Sequence, residues 1–145
     1  MEDRKLVVVG VDGSEDGLRA VKYGASFAAE TNGEVLLVHA VDDAMLAGAW
    51  GVVYDPEVLQ NAGANANEAA AAKAREIGLP GDRIRTEVVL GSPGGVLGRL
   101  SEVADLIVVG RRSVSGLERM FVGSTSVSVV ASSRCPVLVI SAAAH

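Results

Sequence analysis

The tripeptide Gly123-Ser124-Thr125 closes a long loop and has the chemistry of an anion site. Glycine lets a ligand approach the backbone, and the free N–H groups and positive dipole end of a following helix attract negative charge. The loop begins at Gly110, after an apolar run. It is much longer than the usual connection of about two to six residues, and such loops are commonly functional. The alternative is an ordinary Gly-Ser-Thr helix cap.

Charged residues follow two of the apolar runs. Arg111 and Arg112 could grip phosphate oxygens with their guanidinium groups, or they could simply be solvated on a loop. Asp12 beside a phosphate would be repulsive unless it accepts ribose hydroxyls or holds a metal ion. Its alternative role is to cap the following helix together with Ser14.

Two established phosphate motifs are missing. A Walker A loop needs GxxxxGK followed by Ser or Thr, and none of the lysines has this context; they are Lys5, Lys22 and Lys73. The dinucleotide fingerprint GxGxxG is also absent, because the chain reads Gly10-Val11-Asp12-Gly13 and would aim Asp12 at the pyrophosphate. Asp42 could mimic the acidic ribose ligand of that fingerprint, but the glycines that should accompany it are absent.

The sequence predicts neither a catalytic residue nor an intrinsic metal site. His39 and His145 are the histidines, and neither lies in a GxSxG, HExxH or triad context. We expect His39 to be a strand-end residue with a satisfied hydrogen bond. Cys135 is the only cysteine, so an intrachain disulfide and a CxxC site are both excluded, and a small buried residue is expected.

Composition favours a single domain over residues 1–145 with an aliphatic core. The chain is 49% apolar but only 3% aromatic, so Val, Leu, Ile and Ala must fill the interior. A net charge of -5 argues against nucleic acid or an anionic membrane as partner. The acidic start runs into an apolar stretch too short for a signal peptide or a membrane span, so we expect a cytoplasmic protein.

Four short apolar runs, together with one segment that begins as an alternation of polar and apolar residues, predict five strands, and the alternating segment fits a strand nearer the edge of the sheet. The five predicted strands are Lys5–Val11, Glu34–Val41, Arg83–Leu90, Asp105–Val109 and Pro136–Ile140. Because helical patterns alternate with these runs, we predict an α/β fold: an open five-stranded parallel sheet of order 3-2-1-4-5 with helices on both faces. Ligands bind such sheets past the carboxyl ends of the strands where the winding reverses, here between strands one and four.

Capping residues predict where the helices begin. Ser14 should cap the first helix, Asp55-Pro56 should open a second that runs to about Ile77 and is ended by Leu79-Pro80-Gly81, and Ser92-Pro93 should open a third that reaches about Val103. Residues 124–134 fit both a helix face and a strand alternation, and the order of elements favours a helix.

With these motifs together, the chain resembles the universal stress protein family along nearly its whole length. The resemblance rests on strand one ending in Val-Asp-Gly-Ser, the LLVHAV strand, the Gly91-Ser92-Pro93 turn, the DLIVVG strand and the final CPVLVI. Nucleotide-binding members carry a glycine, two residues, a second glycine, nine residues, then Gly followed by Ser or Thr. Gly110, Gly123 and Ser124 match at the right spacing, whereas Ser113 replaces the second glycine.

The resemblance implies a site for ATP, or for AMP or ADP, with Mg²⁺ that could reach Asp12. Backbone near Val11 and Ala40 would contact adenine, Asp12 would meet the ribose or adenine side, Gly110 would flank the ribose, and residues 123–125 would cradle phosphates. The implied nucleotide-binding set is Gly10, Val11, Asp12, Ala40, Val109, Gly110, Arg111, Arg112, Ser113, Gly123, Ser124 and Thr125.

The resemblance also implies a homodimer formed by strand five, through Val137, Leu138, Val139 and Ile140, which would remove an apolar edge from solvent. The leading hypothesis is a stress-response regulator whose ATP occupancy alters its shape or its partners. One alternative, motivated by Ser113, is a dimeric interaction module that binds no nucleotide. Another is a slow ATPase, or a protein that phosphorylates itself on Ser113, Ser115 or Ser124.

Overall fold

A computed structural model describes residues 4–42, 55–111 and 129–140 of the chain. These residues form a five-stranded parallel sheet of order β3-β2-β1-β4-β5, so the predicted fold class and strand order are confirmed. Each strand begins and ends within one residue of the predicted position. The strands are β1 Leu6–Gly10, β2 Glu34–Val41, β3 Ile84–Leu90, β4 Leu106–Gly110 and β5 Val137–Ile140.

Three α-helices connect the described strands. They are α1 Glu15–Glu30, α2 Pro56–Ile77 and α3 Pro93–Leu100. Each begins at its predicted cap, because the side chains of Ser14, Asp55 and Ser92 accept hydrogen bonds from Gly17 N, Glu57 N and Gly95 N, respectively. In the part of the chain that the structure describes, no helix is long and apolar enough to cross a membrane.

Of the two helix ends predicted for α2 and α3, one is correct and one is wrong. α2 ends at Ile77 as predicted, and the residue that terminates it is Gly78, which has a left-handed φ of 115° and donates its N–H to the Ala74 and Arg75 carbonyls directly before the Leu79-Pro80-Gly81 turn. α3 stops at Leu100, short of Val103. After Leu100, backbone hydrogen bonds join residues three apart instead of four, and Val103 N donates to Leu100 O.

Of the ambiguous segment 124–134, residues 129–132 are helical, as the order of elements favoured. Residues 124–128 lie outside the described part of the chain. The helical turn contributes the fully buried Val129 to the core.

The sheet is covered on both faces by an aliphatic core. On one face, Val7 and Val9 pack with the small alanines of α1 and α2, while on the other Val8 packs with Val96 and Leu97 of α3. The central strand is therefore buried on both sides, as its unbroken run of valines predicts. α2 is further fixed to the edge strand by Asn67, whose Nδ2 donates to Glu87 O over 2.9 Å.

Small residues let α1 lie close to the sheet. A Cβ atom on Gly24 would lie 2.6 Å from Cγ2 of the buried Val9, which is well inside van der Waals contact. Because Val9 is β-branched and enclosed, it has no free rotamer to move into. The glycine therefore sets the distance between helix and strand.

We expect Gly24→Ala to lower the free energy of unfolding by about 1–3 kcal/mol through overpacking, although alanine favours helix. Urea denaturation measures the change. Gly81→Ala is the matched control, because no atom lies within 4 Å of its added Cβ. Equal stability of the two variants would show that α1 does not approach the sheet as described.

Candidate functional site

A pocket of about 390 Å³ opens at the carboxyl ends of β1, β2 and β4. This is the edge of the sheet where the winding reverses, and the volume lies in the range of small-molecule sites. Six predicted nucleotide-binding residues come together in its described lining: Gly10, Val11, Asp12, Ala40, Val109 and Gly110. The remaining described lining is Val38, His39, Val41, Asp42, Leu59, Ala62, Pro93, Val96 and Leu97.

The loop from β1 to α1 is held by a cap built from two side chains. Asp12 Oδ1 accepts hydrogen bonds from Ser14 N at 2.9 Å and from Ser14 Oγ at 2.6 Å. Ser14 Oγ in turn accepts from Gly17 N at 3.0 Å. Gly13 makes the turn with a φ of 83°, a conformation that glycine adopts without strain. The capping role weighed for Asp12 is therefore present in the structure.

Gly17 supports the Asp12 side chain of the site, and sequence reasoning missed this role. A Cβ atom there would lie 2.6 Å from Asp12 Oδ1 and 3.4 Å from Ser14 Oγ, so only glycine leaves room for the carboxylate at the start of the helix. The available signal was a glycine in the first turn of a helix, where it costs about 1 kcal/mol relative to alanine and so needs a packing reason.

His39 closes the β2 side of the pocket. Its Nδ1 lies 2.8 Å from the Val11 carbonyl oxygen, and because a carbonyl only accepts, Nδ1 carries the proton. Its ring lies against α2, where a Cβ on Gly63 would approach Cδ2 to 2.6 Å. The prediction of a strand-end histidine with a satisfied hydrogen bond is confirmed, and its place in the pocket lining is an addition to it.

The backbone of Ala40 faces the pocket. Val11 N donates to Val38 O, and Gly91 N donates to Val41 O, so the backbone groups of successive β2 residues point alternately toward β1 and toward β3. The backbone groups of Ala40 point toward the β1 side, and the pairing of β1 with β2 ends at Gly10. No backbone hydrogen bond joins Ala40 N to Val11 O among the described residues. An N–H donor and a C=O acceptor are therefore directed at the pocket.

The β4 side of the pocket ends against the start of α1. A Cβ on Gly110 would lie 2.8 Å from the backbone oxygen of Asp16, so this glycine is required for helix contact. Arg111 follows with its backbone N bonded to Ile140 O, and its exposed side chain is not in the described lining. The other predicted phosphate residues lie outside the described residues: Arg112, Ser113, Gly123, Ser124 and Thr125.

The ionisable side chains of the described lining are acidic apart from His39, namely Asp12 and Asp42. Within residues 4–42, 55–111 and 129–140, no cluster of three or more His, Cys, Asp or Glu could hold a metal ion. Apolar side chains from α2 and α3 form the walls: Leu59, Ala62, Pro93, Val96 and Leu97. The pocket thus combines an apolar slot with a few hydrogen-bonding groups, which suits a flat heterocycle that carries polar edges.

The universal stress protein family model matches residues 4–141 of the chain. A universal stress protein of Methanocaldococcus jannaschii is 33% identical over 94% of this chain and 81% of its own length. One of Bacillus subtilis is 32% identical over 92% and 97%, respectively. The crystal structure of a universal stress protein in complex with cAMP aligns with a TM-score of 0.68 and 27% identity, over 96% of this chain and 98% of that one.

We expect Ser14→Ala to lower the free energy of unfolding by about 1 kcal/mol, because Gly17 N loses its acceptor at the helix start. Thermal or urea unfolding measures the loss. Ser14→Thr keeps the hydroxyl and should stay closer to the wild type. The cap would be contradicted if both variants unfolded together with the wild-type protein.

Proposed function

Because this chain belongs to the universal stress protein family, we propose that it is a cytoplasmic regulatory protein that binds an adenine nucleotide, with ATP as the expected ligand. The observation that carries the proposal is the pocket at the carboxyl ends of β1, β2 and β4, in which six residues predicted for nucleotide binding line a single space. Sheets wound in this way bind their ligands at that edge.

The shape and polarity of the pocket favour adenine. The edge of adenine presents an amine donor next to a ring nitrogen acceptor, and Ala40 directs a C=O acceptor and an N–H donor at the pocket from β2. The apolar side chains of Leu59, Ala62 and Val96 would cover the faces of the ring. Such a base would be recognised mainly by backbone, which needs no particular side chain at position 40.

The ribose would lie next to Asp12. A carboxylate can accept hydrogen bonds from hydroxyl groups, and Asp12 is held in place by Ser14 in the β1–α1 loop. The described lining contains no Lys or Arg. We propose from the glycine spacing in the sequence that residues 123–125 bind the phosphates. The similar protein crystallised with cAMP supports a ligand built on adenosine monophosphate.

The way the pocket is assembled supports a regulatory role. Its described walls come from the ends of three strands and from α2 and α3, so a bound nucleotide would contact elements that are distant in sequence. If these elements have two arrangements, a ligand shifts the equilibrium between them to the extent that it binds one arrangement more tightly than the other. We propose that occupancy, and not turnover of the nucleotide, is the output.

Isothermal titration of nucleotide-stripped protein with ATP, ADP, AMP and cAMP, with and without Mg²⁺, tests the proposal. We expect one saturable site per chain for at least one of these ligands. The absence of binding of all four at millimolar concentration would overturn it.

Gly17→Ala should weaken nucleotide binding about tenfold or more, because the added methyl displaces the Asp12 carboxylate and the hydrogen bond to a ribose hydroxyl is lost. The displaced atom is the end of a side chain, so the fold should persist. Gly81→Ala, which meets no neighbouring atom, should bind like the wild type. Unchanged affinity of Gly17→Ala would remove Asp12 from the site.

We further propose a homodimer through β5. This strand forms one edge of the sheet, and Leu138 on it is 39% exposed, with the 58% exposed Val130 nearby in sequence. Pairing with a second copy would satisfy the free edge and bury these apolar side chains.

Leu138→Lys should convert the dimer to a monomer, because the interface would then bury an unpaired ammonium group. Light scattering coupled to size exclusion gives the mass. Leu90→Lys is the matched control, since Leu90 is an exposed leucine on the opposite edge strand, β3. A monomeric wild type, or a dimeric Leu138→Lys variant, would contradict the interface.

A further inference from the structure

His39 occupies the position at which pairing between β1 and β2 stops. In a parallel ladder that continues past Val11 N and Val38 O, the next hydrogen bond would run from Ala40 N to Val11 O. Instead, Val11 O lies 2.8 Å from His39 Nδ1. A side chain of β2 therefore satisfies the carbonyl group that its backbone would otherwise bind.

The imidazole ring is fixed for this contact from two directions. Nδ1 faces Val11, while Cδ2 and Cγ lie under Gly63 of α2, where an added Cβ would approach them to 2.6 Å and 3.2 Å. The side chain is half-buried and follows the buried Val38 in β2. Because α2 leaves space only for a glycine here, the ring cannot turn away from Val11 without moving the helix.

We propose that His39 is a positioning residue that keeps the backbone of Ala40 available to a ligand. By donating its Nδ1–H to Val11 O, it replaces the ladder bond from Ala40 N and ends β1 at Gly10. The N–H and C=O of Ala40 then remain directed at the pocket, where they can read the edge of a nucleobase. This role of His39 deepens the proposed function. The part of the proposal that concerns ligand binding rests on the proposed function.

Two substitutions separate this role from simple packing. In His39→Asn, the side-chain amide can donate to Val11 O from nearly the place of Nδ1. In His39→Leu, a side chain of similar volume has no donor, so Val11 O becomes available to Ala40 N. Gly63→Ala is a second perturbation, because its methyl would overlap the ring at Cδ2 and displace it from its present position against Val11, while His39 itself is kept.

The first readout is amide hydrogen exchange of Ala40 in the ligand-free protein, followed by NMR. We expect exchange to be about tenfold or more slower in His39→Leu and Gly63→Ala, because the ladder gains a bond, and to be unchanged in His39→Asn. A purely structural role of His39 predicts the opposite, since loosened packing speeds exchange. Slow exchange of Ala40 in the wild type, or faster exchange in His39→Leu, would overturn the proposal.

The second readout is the affinity for AMP. We expect His39→Leu and Gly63→Ala to bind about tenfold more weakly and His39→Asn to remain within about threefold of the wild type. Equal affinities in all variants, with Ala40 exchange slowed, would overturn the ligand-binding half. If no variant and no wild-type protein binds nucleotide, the proposed function fails, whereas the exchange rates still decide whether His39 controls the end of the ladder.

Discussion

The backbone of β1 forms ladder hydrogen bonds with β2 on one side and with β4 on the other, and the site depends on where this pairing ends. As long as the three strands pair, each buried N–H and C=O is satisfied by a neighbour, as burial requires. Past Gly10 the chain turns into the cap formed by Asp12 and Ser14, and the pairing with β2 ends. The polar backbone groups beyond that point are the ones a ligand can use.

Close approach at glycines determines how the helices surround this edge. Gly24 sets α1 against Val9, Gly110 sets the end of β4 against the first turn of α1, and Gly63 sets α2 against His39. In each case a single methyl group would overlap an atom of the neighbouring element. These glycines therefore act together, because each fixes a distance on which the alignment of the pocket residues depends.

Much of this arrangement could be predicted from local patterns, and the remainder could not for a physical reason. The unbroken valines of β1 and the Asp55-Pro56 and Ser92-Pro93 starts are local signals, and the alternation of strands with helices predicted a parallel doubly wound sheet, for which the order that is found is a favoured one. Gly63 was missed because its role is a distance to His39 on another element, and Gly17 was missed because its role is a distance to the Asp12 side chain in the preceding loop. The apolar walls from Leu59 and Leu97 were missed for the same reason, since helical periodicity identifies a buried face and not what it faces.

The length of α2 gives the pocket a mechanical consequence. Its 22 residues make a rod about 33 Å long, and its close contact with the sheet at Gly63 lies near one end. Leu59 of the pocket lies about 6 Å from Gly63 along the axis, and Ile77 lies about 21 Å from Gly63 in the other direction. Asn67 and Ala74 hold the helix against the sheet between these points, so a ligand that displaces Leu59 would displace the helix as a unit. The displacement would therefore reach Ile77, about 27 Å from Leu59 along the axis.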